Sequence, residues 1–140
     1  MPVTSLNADG AGGGDSGYGP QSPLAPVHEL LNAKDYENAI GKLHEFLAKD
    51  DEDPDVHNLL GFSHRKLGRF DKALEHYQVA LRIDPEHRGA NEYLGELYLQ
   101  TDQLDKAKER LAVLDDACFF GCNEYTKLKN AIEAYEQSGS

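Results

Sequence analysis

Apolar residues recur along this chain at helical spacing. Phe70, Ala73, Leu74, Tyr77, Ala80 and Leu81 follow an i, i+3, i+4, i+7 pattern, which gathers them on one stripe of a 3.6-residue helix. Leu104, Ala107, Leu111 and Leu114 repeat that stripe, and Tyr125, Leu128, Ile132 and Tyr135 form another. The pattern predicts seven helices, over 24–34, 36–49, 54–67, 70–83, 88–100, 104–116 and 122–137, and no β-strand.

The stripes also repeat among themselves. A shift of 34 carries Leu60–Gly61 onto Leu94–Gly95, Phe70 onto Leu104, Ala73 onto Ala107, Tyr77 onto Leu111 and Ala80 onto Leu114. One period earlier stand Tyr36, Ala39, Leu43 and Phe46, but Pro26 and Val27 replace the Leu–Gly pair. This period and residue pattern resemble the tetratricopeptide repeat (TPR) family. The resemblance implies an all-α, TPR-type α-solenoid of about three helix-turn-helix repeats, at 20–53, 54–87 and 88–119, with a C-terminal capping helix at 122–137. A solenoid needs such a cap, because its last repeat otherwise exposes an apolar face.

The punctuation has physical reasons. Gly61 and Gly95 lie inside first helices, where a side chain would hold the paired second helix away; Ala73 and Ala107 are the expected facing residues. Gly68 ends a helix where a left-handed cap is expected, and Asp102 takes that place one period later. Asp53–Pro54 starts a helix with an N-cap and a proline at the first helical position. Asp84–Pro85 is expected to do the same for the third repeat. An incomplete first repeat is expected to leave an apolar edge near Leu30, Leu31 and Ile40, a route to self-assembly.

Composition narrows the partners. The net charge is -11 with a pI near 4.8. Such a surface repels phosphate backbones and anionic membranes, so neither nucleic acid nor membrane is expected. A protein or peptide partner is, and a basic one suits the charge. No apolar run approaches a membrane span. Residues 1–23, rich in Gly, Ser, Asp and Pro, read as a disordered tail, ahead of a TPR domain over 24–137. The first residues lack the basic start and apolar stretch of a signal peptide; a mature exported protein with a new Met1 would look the same.

Candidate chemistry is sparse. His57 and His64 are seven residues apart, about 10 Å along a helix, too far to ligate one metal together. No nucleophile–base motif, phosphate loop or HExxH is present, so no catalytic residue, metal or cofactor is expected. Cys118 and Cys122 form a C-x3-C whose Gly121 permits a tight turn. A structural disulfide, inert thiols and a redox-active or metal-delivering pair remain alternatives, and compartment decides among them. The stretch "LDDACFFGCNEYTKLKNAI" is similar to a group of small bacterial TPR proteins that carry an export signal; that resemblance favours the periplasm and a disulfide.

In the TPR family the first helices line a concave groove for a peptide or helix. Carried over by position, the groove residues are Asn58, Phe62, Arg65 and Lys66, then Glu92, Glu96, Leu99 and Gln100, with His28 from the first repeat. The family's Lys/Asn clamp for a C-terminal carboxylate is absent, because Gly89, Tyr93, Leu24 and His28 occupy its places. The expectation is a non-enzymatic interaction scaffold, monomeric or weakly self-associating, with Glu92 and Glu96 attracting a basic residue.

Overall fold

The computed structural model describes residues 22–139, which fold into seven helices with no strand among them. These are α1 (Ala25–Asn32), α2 (Tyr36–Lys49), α3 (Pro54–Lys66), α4 (Phe70–Ile83), α5 (Arg88–Gln100), α6 (Leu104–Ala117) and α7 (Asn123–Gly139). The tail expected at 1–23 lies almost wholly outside the described residues. Helices α1 and α2, α3 and α4, and α5 and α6 pair across three-residue turns. Each pair stacks on the next, and α7 packs against both α5 and α6.

The turns show the period in the backbone itself. A left-handed residue occurs at Lys34 (φ 61°), Gly68 (φ 79°) and Asp102 (φ 58°), one in every 34 residues. At each turn the next amide reaches back five residues: Asp35 N–H to the Leu30 carbonyl, Arg69 to His64, Gln103 to Tyr98. These are the bonds that satisfy orphan carbonyls at a helix C-terminus. Helix α1 ends at Asn32, two residues before the sequence expectation, so that Lys34 can take this conformation.

Helix starts differ in chemistry. The Asp53 side chain accepts from the Asp55 and Val56 amides, and Pro54 opens α3 as expected. The Asp84–Pro85 expectation is corrected: Asp84 closes α4, and α5 begins four residues later at Arg88. Its cap is His87, whose Nδ1 accepts from the Ala90 amide at 3.0 Å. Asp84 caps only a local turn, accepting from the Glu86 amide.

The glycine expectation is refined in the same way. A Cβ on Gly61 would sit 2.5 Å from the Tyr77 ring on α4, and one on Gly95 would sit 2.6 Å from Leu128 on α7. The close neighbours are therefore Tyr77 and Leu128, not Ala73 and Ala107, which are fully buried nearby. In the first repeat Val27 stands at the glycine position and Leu43 at the tyrosine position, both fully buried in one cluster. A branched side chain on the first helix is thus matched by a smaller one on the second, as close packing requires. That cluster also buries Leu31 and Ile40, so the apolar edge expected there is closed by α1–α3 packing.

Candidate functional site

The face that α3 and α5 share is aromatic and cationic at its centre. Phe62 of α3 lies 4.9 Å from Tyr93 of α5 and 6.3 Å from Tyr36 of α2, ring centre to ring centre. The Arg65 guanidinium stands 5.6 Å from the Phe62 ring centre and 5.7 Å from that of Tyr93, within cation–π range. Arg65 is only 7% exposed, so its charge needs partners. It donates to Gln100 Oε1 at 2.9 Å and to the Tyr77 hydroxyl at 3.4 Å, and faces Glu96 Oε1 at 3.5 Å. The planar fork thus fixes α3, α4 and α5 to one another.

Toward the helix N-termini the face deepens into a cavity of about 380 Å³ between α1, α3, α5 and α7. His87 Nε2 donates to Asp55 Oδ1 at 2.6 Å, tying the start of α5 to α3. Asn58 and Glu92 line the cavity and are 1% and 4% exposed. Gly89 leaves room for Asn58, whose Nδ2 would be 2.7 Å from a Cβ there. Burial and the neighbouring Glu96 push the Glu92 carboxyl up to about 9. The two carboxyls are paired side chain to side chain, and a hydrogen bond between two carboxyls needs a proton held between them. Helix α7 contributes Glu124 and Lys127 to the rim.

A histidine cluster occupies the α3–α4 contact, which the spacing argument treated as isolated rings. His57 Nε2 donates to the Asp51 carbonyl at 2.9 Å, so in neutral rings its Nδ1 accepts from His76 Nδ1 at 3.2 Å. His64 stacks on His76 with ring centres 5.7 Å apart. Helix pairing, not sequence spacing, brings them together. Burial, then His57, His64, His44 and Lys72, push His76 down from 6.5 to about 4. The His64 pKa is lowered too, by burial and then by Arg69. A depressed folded pKa gives stability that is present above pH 6.5 and lost as pH falls towards 4. The urea midpoint should drop between pH 7 and pH 5, and His76→Phe should flatten that drop. An equal drop in the variant would place the acid sensitivity elsewhere.

Cys118 and Cys122 join α6 to α7 with Cα atoms 5.7 Å apart and sulfurs at bonded distance, 2.12 Å. Between them Phe119 and Phe120 stand 86% and 93% exposed. No cluster of three or more potential metal ligands occurs among the described residues.

The structure thus brings Phe62, Arg65 and Glu96 into one network and places Asn58 and Glu92 in the cavity wall, with His28 beside them. Lys66 is exposed, its ammonium 5.5 Å from the Phe62 ring centre. Leu99 is 9% exposed and packs with Ala107, Leu114, Leu128 and Ile132, on the side of α5 that α7 covers. Tyr36, Tyr93, Glu124 and Lys127 were not anticipated. Tyr36 and Tyr93 carry apolar stripes like any core residue, and the α7 pair follows only from how the cap docks.

Comparison with known proteins agrees with this architecture. Two family models, each described as a tetratricopeptide repeat, match residues 24–88 and 64–132. A rice protein described as "DnaJ protein P58IPK homolog A" is 36% identical over 67 residues, 48% of this chain. The match spans only 14% of that relative's length. PcrH, in the structure of its complex with the chaperone binding region of PopD, superimposes with a TM-score of 0.71 at 18% identity, covering 84% of this chain and 90% of PcrH. The first TPR of Spaghetti (RPAP3) bound to an HSP90 peptide gives a TM-score of 0.71 at 14% identity, covering 88% and 97%. Seven helices, a left-handed turn every 34 residues and family matches that together run from 24 to 132 agree: the chain belongs to the tetratricopeptide repeat family.

Proposed function

We propose that this protein works by binding rather than catalysis, holding a peptide or helix of a partner protein along its concave face. Phe62, Arg65 and Glu96 form the centre of the contact surface, with Asn58 and Glu92 at its deeper end. The carrying observation is the Phe62–Tyr93–Arg65 arrangement. It offers partly exposed aromatic surface already held in place by a buried guanidinium. Preorganised aromatic and arginine groups are the usual anchors of an interface, since little side-chain entropy is lost on binding. PcrH in complex with the chaperone binding region of PopD, and the RPAP3 TPR bound to an HSP90 peptide, support a groove of this kind.

The test is affinity capture with wild type and with Phe62→Ala/Glu96→Lys, read by mass spectrometry. A titration of the purified partner against both then gives the affinities. The double variant should bind at least tenfold more weakly, about 1.4 kcal/mol or more, while its circular dichroism stays helical. Equal capture by both would move the contact surface off the groove, towards the exposed Phe119 and Phe120.

A further inference from the structure

We propose that the cavity between α1, α3, α5 and α7 is a receptor for one cationic group of the bound peptide, an ammonium or a guanidinium. The inference rests on the groove reading and names the chemistry at its deep end. Four features of the cavity carry it.

First, carboxylates dominate the lining. Asp55, Asp84, Glu86 and Glu124 face Arg88 and Lys127, so the wall is net negative before Glu92 is counted. Second, Asn58 is 1% exposed and its Oδ1 accepts no hydrogen bond. A buried acceptor left unpaired costs free energy that an incoming N–H donor recovers. Third, the volume of about 380 Å³ exceeds what the end of a lysine or arginine side chain fills. Fourth, Glu92 is a buried carboxyl in reserve. Its pKa is raised to about 9 despite Lys127 nearby, by burial and then by Glu96, with Glu124 adding to the effect. Asp55 from α3 and His28 from α1 complete its surroundings.

The proton on Glu92 therefore occupies the electrostatic place of a ligand cation. When an ammonium or guanidinium enters, the carboxyl ionises, the proton leaves to solvent, and a buried ion pair replaces a neutral acid. No bond other than the carboxyl O–H is broken. Linkage fixes the consequence: affinity for a cationic peptide rises with pH up to about 9, by about tenfold per unit where the full proton is released. A peptide without the cation gains nothing from that ionisation.

The probe is a phage-displayed library of random dodecapeptides selected on the full chain. Selected peptides are synthesised and titrated calorimetrically from pH 6.5 to 8.5, in two buffers of different protonation enthalpy. Selected sequences should carry Lys or Arg, or depend on a free N-terminal amine, which acetylation separates. Replacing the Lys by norleucine, or the Arg by citrulline, should weaken binding at least tenfold. Binding at pH 7 should release close to one proton. In Glu92→Gln, which copies the protonated carboxyl and its hydrogen bond to Glu96, both the proton release and the pH slope should vanish. Peptides that bind and lose affinity with Phe62→Ala, yet ignore loss of the cation, would overturn this inference and leave the groove reading standing. A cation requirement with no proton release would place the cation elsewhere and overturn it as well. A library that yields no groove binder would overturn the groove reading and this inference with it.

Discussion

Replacing Tyr77 by alanine should lower stability by about 3–5 kcal/mol, the range for removing a buried aromatic side chain. For a chain of this size that shifts the thermal midpoint by roughly 10–25 °C. Tyr77 is fully buried on α4, where its ring fills the space that Gly61 leaves open on α3. Its hydroxyl accepts from Arg65, so the truncation also strips a partner from a buried charge. Tyr77→Phe isolates that part and should cost only about 1 kcal/mol. A cycle with Gly61→Ala separates fit from helix propensity. In the wild-type background the added methyl collides with the ring and destabilises. In the Tyr77→Ala background it should stabilise, by up to about 1 kcal/mol, because alanine is the better helix former. Urea unfolding of the four proteins reads all the terms. The same sign for Gly61→Ala in both backgrounds would refute the Gly61–Tyr77 match as the reason for this glycine.

Leu128→Ala should cost about 2–5 kcal/mol and should act beyond its own helix. Leu128 is fully buried, sits over Gly95, and shares a cluster with Leu99, Leu114 and Ile132. Undocking α7 would uncover the apolar side of the last repeat, which a solenoid cannot leave to water. Amide exchange should therefore quicken in α5 and α6, and light scattering should show more association than in the wild type. A loss below about 1 kcal/mol with unchanged exchange in α5 would show that the repeats stand without the cap. The same variant bears on function, because Glu124 and Lys127 reach the cavity only from a docked α7.

The fold was largely legible in the sequence because two local rules agree along it. Apolar stripes set each helix, and the 34-residue period set how helices pair. Ends set by backbone geometry were legible where the residue type is diagnostic, as at Gly68 and Asp53–Pro54. They were missed where a less specific residue does the same work, as with Lys34 in the left-handed turn and His87 as the cap of α5. The candidate site was legible in part. Position in the repeat put Asn58, Phe62, Arg65, Glu92 and Glu96 on one face, since a period fixes which face a residue occupies.

The sequence by itself therefore determined the helices, their repeat and the acidic charge, all properties of residue type and spacing. Only the tertiary structure decided what the charges do. Arg65 is buried against Glu96, Gln100 and two aromatic rings, so it acts as a strut between α3 and α5. The Glu92 carboxyl is pushed well above the usual carboxylate range because burial and Glu96 together outweigh Lys127. Leu99 is covered by α7, and three histidines from two helices meet in one stack. Burial and the identity of a neighbour set each of these states, and both arise from contacts between helices that no local pattern records.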